Sequence, residues 1–145
     1  MSKTFLDTNV ILDAFLPDRP SAEASRQILA IGNETDRLYL SSLSMANLDY
    51  VLRKNLGRER AIGILDALFK RYYILPVNDM NVCEALRSDC PDFEDSLQFS
   101  CADYGNCDCI VTNNTRHFKT FAPLPVFTPE EFLEGIRTAQ ERKQE

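Results

Sequence analysis

The chain has 145 residues, 22 acidic and 16 basic side chains, and a formal net charge of −6. That length allows one hydrophobic core, and the acidic balance argues against nucleic-acid binding by the whole surface while leaving room for a local basic patch. No signal peptide and no membrane-spanning run is visible, and five scattered cysteines make no disulfide framework, so the expected location is a reducing cytoplasm with no membrane attachment.

Lys3–Leu6 reads as a short buried strand, with Asp7 where it stops and a helical start at Val10–Leu12. Pro20 and Ser21 open a helix to about Ile31, stopped by Gly32-Asn33. Leu38–Ser41 is a second strand, followed by a helix over Leu43–Leu56 that Gly57 ends. Arg58–Tyr72 is another helix, with Ala61, Ile64, Leu65, Leu68 and Phe69 as its apolar face. Tyr73–Val77 is a third strand, Met80–Arg87 a shorter helix, and Asp92–Tyr104 a helix ending at Gly105. Strand patterns return at Cys109–Thr112 and Pro125–Phe127. Thr128-Pro129-Glu130-Glu131 then starts a helix, with a Thr cap, Pro at the first position and Glu three after the cap. Residues 1–137 read as one domain and 138–145 as a charged tail that frays.

The strands are short and apolar, as buried parallel strands are, and they alternate with helices. The expected fold class is therefore α/β, with a parallel sheet covered by helices on both faces. Ligands of such sheets sit beyond the carboxyl ends of the strands, near the topological switch point.

Four separated segments bring oxygen-bearing side chains to that edge. They are Asp7-Thr8-Asn9; Ser41, Ser42, Ser44 and Asn47; Asp92, Glu94 and Asp95; and Thr112-Asn113-Asn114. Clustered carboxylates repel unless a cation neutralises them. Mg²⁺ takes oxygen ligands and keeps waters, which suits metal-assisted phosphodiester hydrolysis. Each residue also has a plainer reading. Asp7 can cap the helix after it, and Asp92 reads as a cap with Asp95 as its capping-box partner. Ser41 and Ser42 fit a turn, and Asn113-Asn114 fits a loop. Cys107-Asp108-Cys109 has closer spacing than zinc ligands usually show and reads as packing.

The stretches FLDTNVILDAF, LSSLSMANLDYVLRKNLG, DFEDSLQFSCADYGNCDCIVTNN and FTPEEFL together resemble the PIN-domain family, in particular its VapC-like ribonuclease toxins. The resemblance runs in family order to about residue 133. It implies a three-layer α/β/α sandwich with a short central parallel sheet. It also implies a Mg²⁺- or Mn²⁺-dependent endoribonuclease acting on RNA, a small antitoxin partner and a homodimer. Asp7 matches the first acid of the family motif, Asp95 the acid at the start of a later helix, and Asn114 the fourth position. VapC-like proteins carry Glu at the second position, where this chain has Asn47. Asn brings a carbonyl oxygen but no charge. Glu94 can supply the charge, whereas Asp49 lies about 200° round the helix from Asn47. The site expected from this resemblance is Asp7 and Asp95 on the metal, with Glu94, Asn47 and Asn114 completing the catalytic set.

Arg116 and Lys119, just after Asn114, are candidate phosphate contacts, together with Ser42. Arg53, Lys54, Arg58 and Arg60 read as a solvated helix face, and His117 is left outside the catalytic set. Two other functions compete. Asn47 and the acidic balance are compatible with a degenerate PIN domain that binds RNA or a protein partner without catalysis. Asp7-Thr8-Asn9 also loosely resembles the nucleophile loop of haloacid-dehalogenase-like phosphatases, but Asn9 replaces its second Asp and no segment offers a cap region.

Overall fold

The computed structural model describes residues 2–31, 37–119 and 124–145. Five strands, β1 (Lys3–Leu6), β2 (Arg37–Ser41), β3 (Tyr73–Leu75), β4 (Cys109–Val111) and β5 (Val126–Phe127), form one sheet in the order β3-β2-β1-β4-β5. Every pairing is parallel. Phe5 of the central strand pairs with Tyr39 on one side and Ile110 on the other. The chain moves outward from β1 through β2 to β3, then returns beside β1 as β4. The switch point lies between β1 and β4, at the end of the sheet where Asp7 and Thr112 stand.

Side chains alternate across a strand, so the apolar strands feed two cores. Leu6, Leu38, Leu40 and Val111 face a core shared with α1 (Thr8–Phe15), α2 (Ala22–Ile31), α3 (Ser42–Leu56) and α4 (Arg58–Arg71), where Phe132 and Leu133 of α8 (Pro129–Gln144) also pack. Phe5, Tyr39, Ile110 and Val126 face Cys101 and Ala102 of α6 (Phe93–Tyr104) and Phe118 of α7 (Thr115–Phe118). A short helix, α5 (Asp79–Arg87), packs on α6. The result is the three-layer α/β/α sandwich that the alternation and the family resemblance imply.

Local chemistry sets the element ends. Thr128 accepts from the Glu131 N–H while the Glu131 side chain accepts from the Thr128 N–H, completing the expected capping box of α8. Gly57 joins α3 to α4 at φ +86°, a conformation that disfavours side chains with a Cβ. Gly105 ends α6 for a different reason: a Cβ there would meet Leu75 Cδ1 at 2.5 Å.

The structure departs from the sequence reading in four places. Phe69 is 67% exposed: the buried stripe of α4 runs through Ala61 and Leu68, and Phe69 lies one further step of about 100° round the helix. The third strand stops at Leu75, before Val77, because Pro76 has no N–H for the ladder and the Val77 N–H donates to Ser42 Oγ (3.0 Å). α7 was not foreseen, since four residues display no period. Beyond residue 137 the chain continues α8 to Gln144, with residues 139–145 exposed. The expected Gly32-Asn33 helix stop lies outside the described residues.

Ile110 is fully buried in β4 beside the central strand. Ile110→Ala is expected to destabilise the chain by about 2–5 kcal/mol, through lost burial and the cavity it leaves. The lowered urea midpoint measures it.

Candidate active site

Asp7 caps the helix that follows it, as the plainer of its sequence readings has it. Its backbone is extended, and its Oδ1 accepts from the Thr8 N–H (2.9 Å), capping α1. Its Oδ2 accepts from the Thr112 hydroxyl at the end of β4 (2.8 Å), and its own N–H donates to the Val111 carbonyl (3.0 Å). The carboxylate is thus held across the switch point and is 3% exposed. Thr112 Oγ1 also accepts from the Asn114 N–H (3.0 Å), which sets the turn after β4.

Asp92 is the N-cap of α6, accepting from the Asp95 N–H (3.0 Å). The Asp95 side chain does not return the bond as a capping-box partner. Its Oδ2 instead accepts from Asn114 Nδ2 (2.8 Å) and lies 2.7 Å from His117 Nδ1. With the ring proton on Nδ1, His117 donates to Asp95. Asn114, assigned from sequence alone, therefore positions the second acid directly. Glu94 Oε1 accepts from Asn47 Nδ2 (2.8 Å), joining the starts of α6 and α3.

Fully buried Gln98, one turn beyond Asp95 on α6, lies beneath these groups. Its Oε1 accepts from the Ser41 hydroxyl (2.5 Å), and its Nε2 donates to Thr8 Oγ1 (3.1 Å) and Ser44 Oγ (2.8 Å). Ser41 in turn caps α3 by accepting from the Ser44 N–H (2.9 Å).

The carboxyls are poised toward protonation. Burial, reinforced by Asp95 and Glu94, pushes Asp7 up to about 7 despite the bonds from Thr112 and Thr8. Burial also raises Asp95, against the hydrogen bonds from His117 and Asn114. Glu94 is raised by burial and then by Asp92 and Asp95. Asp92, Asp95 and His117 offer ligand atoms within 4.8 Å of one another. The carboxylate oxygens of Asp7, Asp95 and Asp92 and the amide oxygen of Asn114 are the kind of ligand a hard divalent cation takes, and a cation there would offset the burial that disfavours the ionised forms of Asp7 and Asp95.

Arg116 and Lys119 are exposed on α7 and at its end, beside Asn114. Ser42 is exposed and its Oγ accepts from the Val77 N–H. Arg53 pairs with Asp49 one turn away, as the solvated-face reading requires. Sequence reasoning set His117 aside and gave Thr112 no role. The Thr-x-Asn ending of the strand was the available signal for Thr112; nothing in the sequence placed His117 on Asp95.

A PIN-domain family model matches residues 3–116, and the chain belongs to the PIN-domain family. No curated protein sequence matches it significantly. Among solved structures, it is similar to VapBC2 from Rickettsia felis bound to a promoter DNA fragment. There 23% of positions are identical over 86% of this chain and 96% of that one, with a TM-score of 0.67. It is similar to a toxin–antitoxin complex from Klebsiella pneumoniae at 21% identity, covering 87% of this chain and 97% of that one, TM-score 0.62. It is also similar to the sarcin–ricin-loop-cleaving toxin VapC20 of Mycobacterium tuberculosis at 13% identity, covering 74% and 86%, TM-score 0.61. Among the described residues no helix is long and apolar enough to cross a membrane.

A carboxyl that titrates near 7 when folded and near 3.8 ordinarily contributes stability fully below about pH 4, and that contribution is lost as pH rises through 7. In chelator, Asp7→Asn is therefore expected to match the wild type in urea midpoint near pH 4. At pH 8 it should exceed the wild type, with a ceiling of about 4 kcal/mol. Equal midpoints at pH 8 would show that Asp7 is not strained by burial.

Proposed function

We propose that the chain is a Mg²⁺- or Mn²⁺-dependent endoribonuclease and the toxin of a toxin–antitoxin pair, working in the cytoplasm. The observation that carries this reading is the convergence of Asp7 and Asp95 at the switch point, tied by Thr112 and Asn114 from the single turn after β4. Family membership and likeness to toxin–antitoxin complexes support it.

In this reading Asp7 and Asp95 hold the cation. When bound, that ion polarises the phosphoryl oxygen and acidifies an attacking water. Glu94 adds the third negative charge, and Asn47 keeps it facing the site through its 2.8 Å bond. Asn114 and His117 fix the orientation of the Asp95 carboxylate. Arg116 and Lys119 meet the RNA backbone beside the cut. Ser42, whose oxygen already accepts from Val77, has its hydroxyl proton left to donate to a phosphate. A small antitoxin and a second copy of the chain are the proposed protein partners.

One observation favours a second reading, a domain that binds RNA or a protein without cutting it. The amide at the second motif position is engaged with Glu94 and carries no charge.

Mg²⁺- or Mn²⁺-dependent cleavage of a mixed pool of structured RNA is expected. Asp7→Asn and Asp95→Asn should each reduce it by more than the roughly 10–100-fold that loss of an outer-shell partner causes. Retained RNA binding with no cation binding by calorimetry would instead establish the second reading. Asn47→Glu adds a carboxylate beside Glu94. It is expected to tighten Mn²⁺ binding about tenfold in the same titration, a difference of about 1.4 kcal/mol, and to lower stability in chelator.

A further inference from the structure

Beside Asn113 the surface opens into a cavity of about 330 Å³ lined by Asn9, Asp13, Arg19, Pro20, Ser21 and Asn113. It adjoins the acids through the chain itself. Asn9 lies two residues after Asp7, and Asn113 stands between Thr112, which bonds to Asp7, and Asn114, which bonds to Asp95.

The wall of this cavity holds an unusual group. Asp13 is 4% exposed, one turn after exposed Asn9 on α1 and flanked in sequence by buried Leu12 and Ala14. Its Oδ2 accepts from Asn113 Nδ2 (2.5 Å). Among the described residues its Oδ1 accepts no hydrogen bond and faces Arg19 Nη1 only at 3.9 Å, and it is not wholly enclosed. A nearly buried carboxylate thus presents one open acceptor to the cavity. Burying such an oxygen without a full set of donors is unfavourable. The tie from Asn113 accounts for one oxygen and leaves the other for a ligand.

The charge of the cavity selects the ligand. Its lining balances one acid, Asp13, against one base, Arg19, and burial and then nearby Glu130 raise the Asp13 carboxyl. That balance offers a phosphate no net attraction. A donor on a flat polar group is accepted, with the Asn9 amide at the rim and the Arg19 plane and Pro20 ring as stacking surfaces. The amino group of cytosine is such a donor, with a carboxylate as its usual acceptor, and adenine presents an exocyclic amine of the same kind. Uracil offers carbonyl oxygens on either side of its ring N–H, and these oppose the carboxylate.

Resting on the ribonuclease reading, we propose that this cavity is a base-specificity subsite. It holds one unpaired nucleobase of the RNA next to the cut, and Asp13 selects a base with an exocyclic amine over uracil. The subsite reads the base while Arg116 and Lys119, on the helix that follows the same turn, meet the backbone.

The test uses fluorescence anisotropy of labelled oligo(C), oligo(A) and oligo(U) RNA with the full chain in chelator, so that nothing is cut. Oligo(C) and oligo(A) are expected to bind about tenfold or more tightly than oligo(U). Asp13→Asn, which replaces the open acceptor by an amide, should bring the three within about twofold. Should that variant misfold, Asn9→Leu, an exposed change that fills the mouth of the cavity, should remove the same preference. Equal binding of all three by the wild type overturns the subsite. So does a cleavage pattern in the mixed pool that Asp13→Asn leaves unchanged, and in that case the ribonuclease reading stands. Binding of no RNA together with no cleavage overturns both.

Discussion

The amide of Gln98 is the constraint on which the arrangement of this sheet edge depends. One side chain, entirely out of water, bonds to Thr8 at the start of α1 and to Ser41 and Ser44 at the start of α3, while sitting on α6. These are the elements that carry Asp7, Asn47 and Asp95. An unpaired amide in that position is strongly unfavourable, and hydroxyls that satisfy it become fixed in turn, so the three helix starts adopt one mutual geometry or lose several bonds together. Spacing between carboxylates on separate segments is difficult to maintain with long, exposed side chains. Here it is set by short hydroxyls and one amide in a closed network, with the acids mounted one turn away.

Burial explains both the reactivity of the edge and its strain. Asp7 sits where β1 and β4 run side by side, so one carboxylate bonds to the end of the neighbouring strand and caps a helix at once. The same enclosure removes the water that would stabilise its charge, and two further acids stand nearby. The fold therefore holds a carboxyl whose ionised form is disfavoured until a positive charge arrives. A cation bound there would stabilise the folded chain, so affinity for an ion and stability of the fold would be linked. Two large apolar clusters on opposite faces of the sheet, centred on Leu6 and Phe5, supply the stability against which this strain is set.

Much of this was legible before the structure because the information was local. Alternating short apolar strands and helical periods give the parallel sheet, and Asp7, Asp95 and Asn114 stand at element ends where their spacing in sequence already places them. What escaped depended on tertiary geometry. His117 reaches Asp95 only because α7, too short to show a period, turns its ring back across the β4 turn. Phe69 looks like core on a helical wheel, but coverage depends on how far α3 wraps round α4, which no pattern within α4 reveals. Pro76 did carry a local signal against a longer third strand, and the apolar residues on either side of it outweighed that signal in the reading. Asp13 was read simply as part of FLDTNVILDAF; its burial beside Asn113, 100 residues later, required the sheet to bring β1 and β4 together.

The two amides at the edge follow from the same electrostatics. Asp95 and Glu94 already add to the burial that raises the Asp7 carboxyl, and Asp92 and Asp95 add to that of Glu94. A fourth and fifth acid at positions 47 and 114 would add like charges to an edge whose enclosed carboxylate is already near neutrality at pH 7, and most of that added repulsion would fall on the metal-free fold. Asn47 and Asn114 do the opposite. Each donates an N–H to one of the acids, Glu94 and Asp95 respectively, which favours the ionised form of its partner while adding no charge. Such an edge would attract a cation less strongly by net charge than one with acids at all five positions, but its carboxylates are oriented in advance by these bonds. Affinity then depends on geometry, and the geometry leads back to the buried network under Gln98.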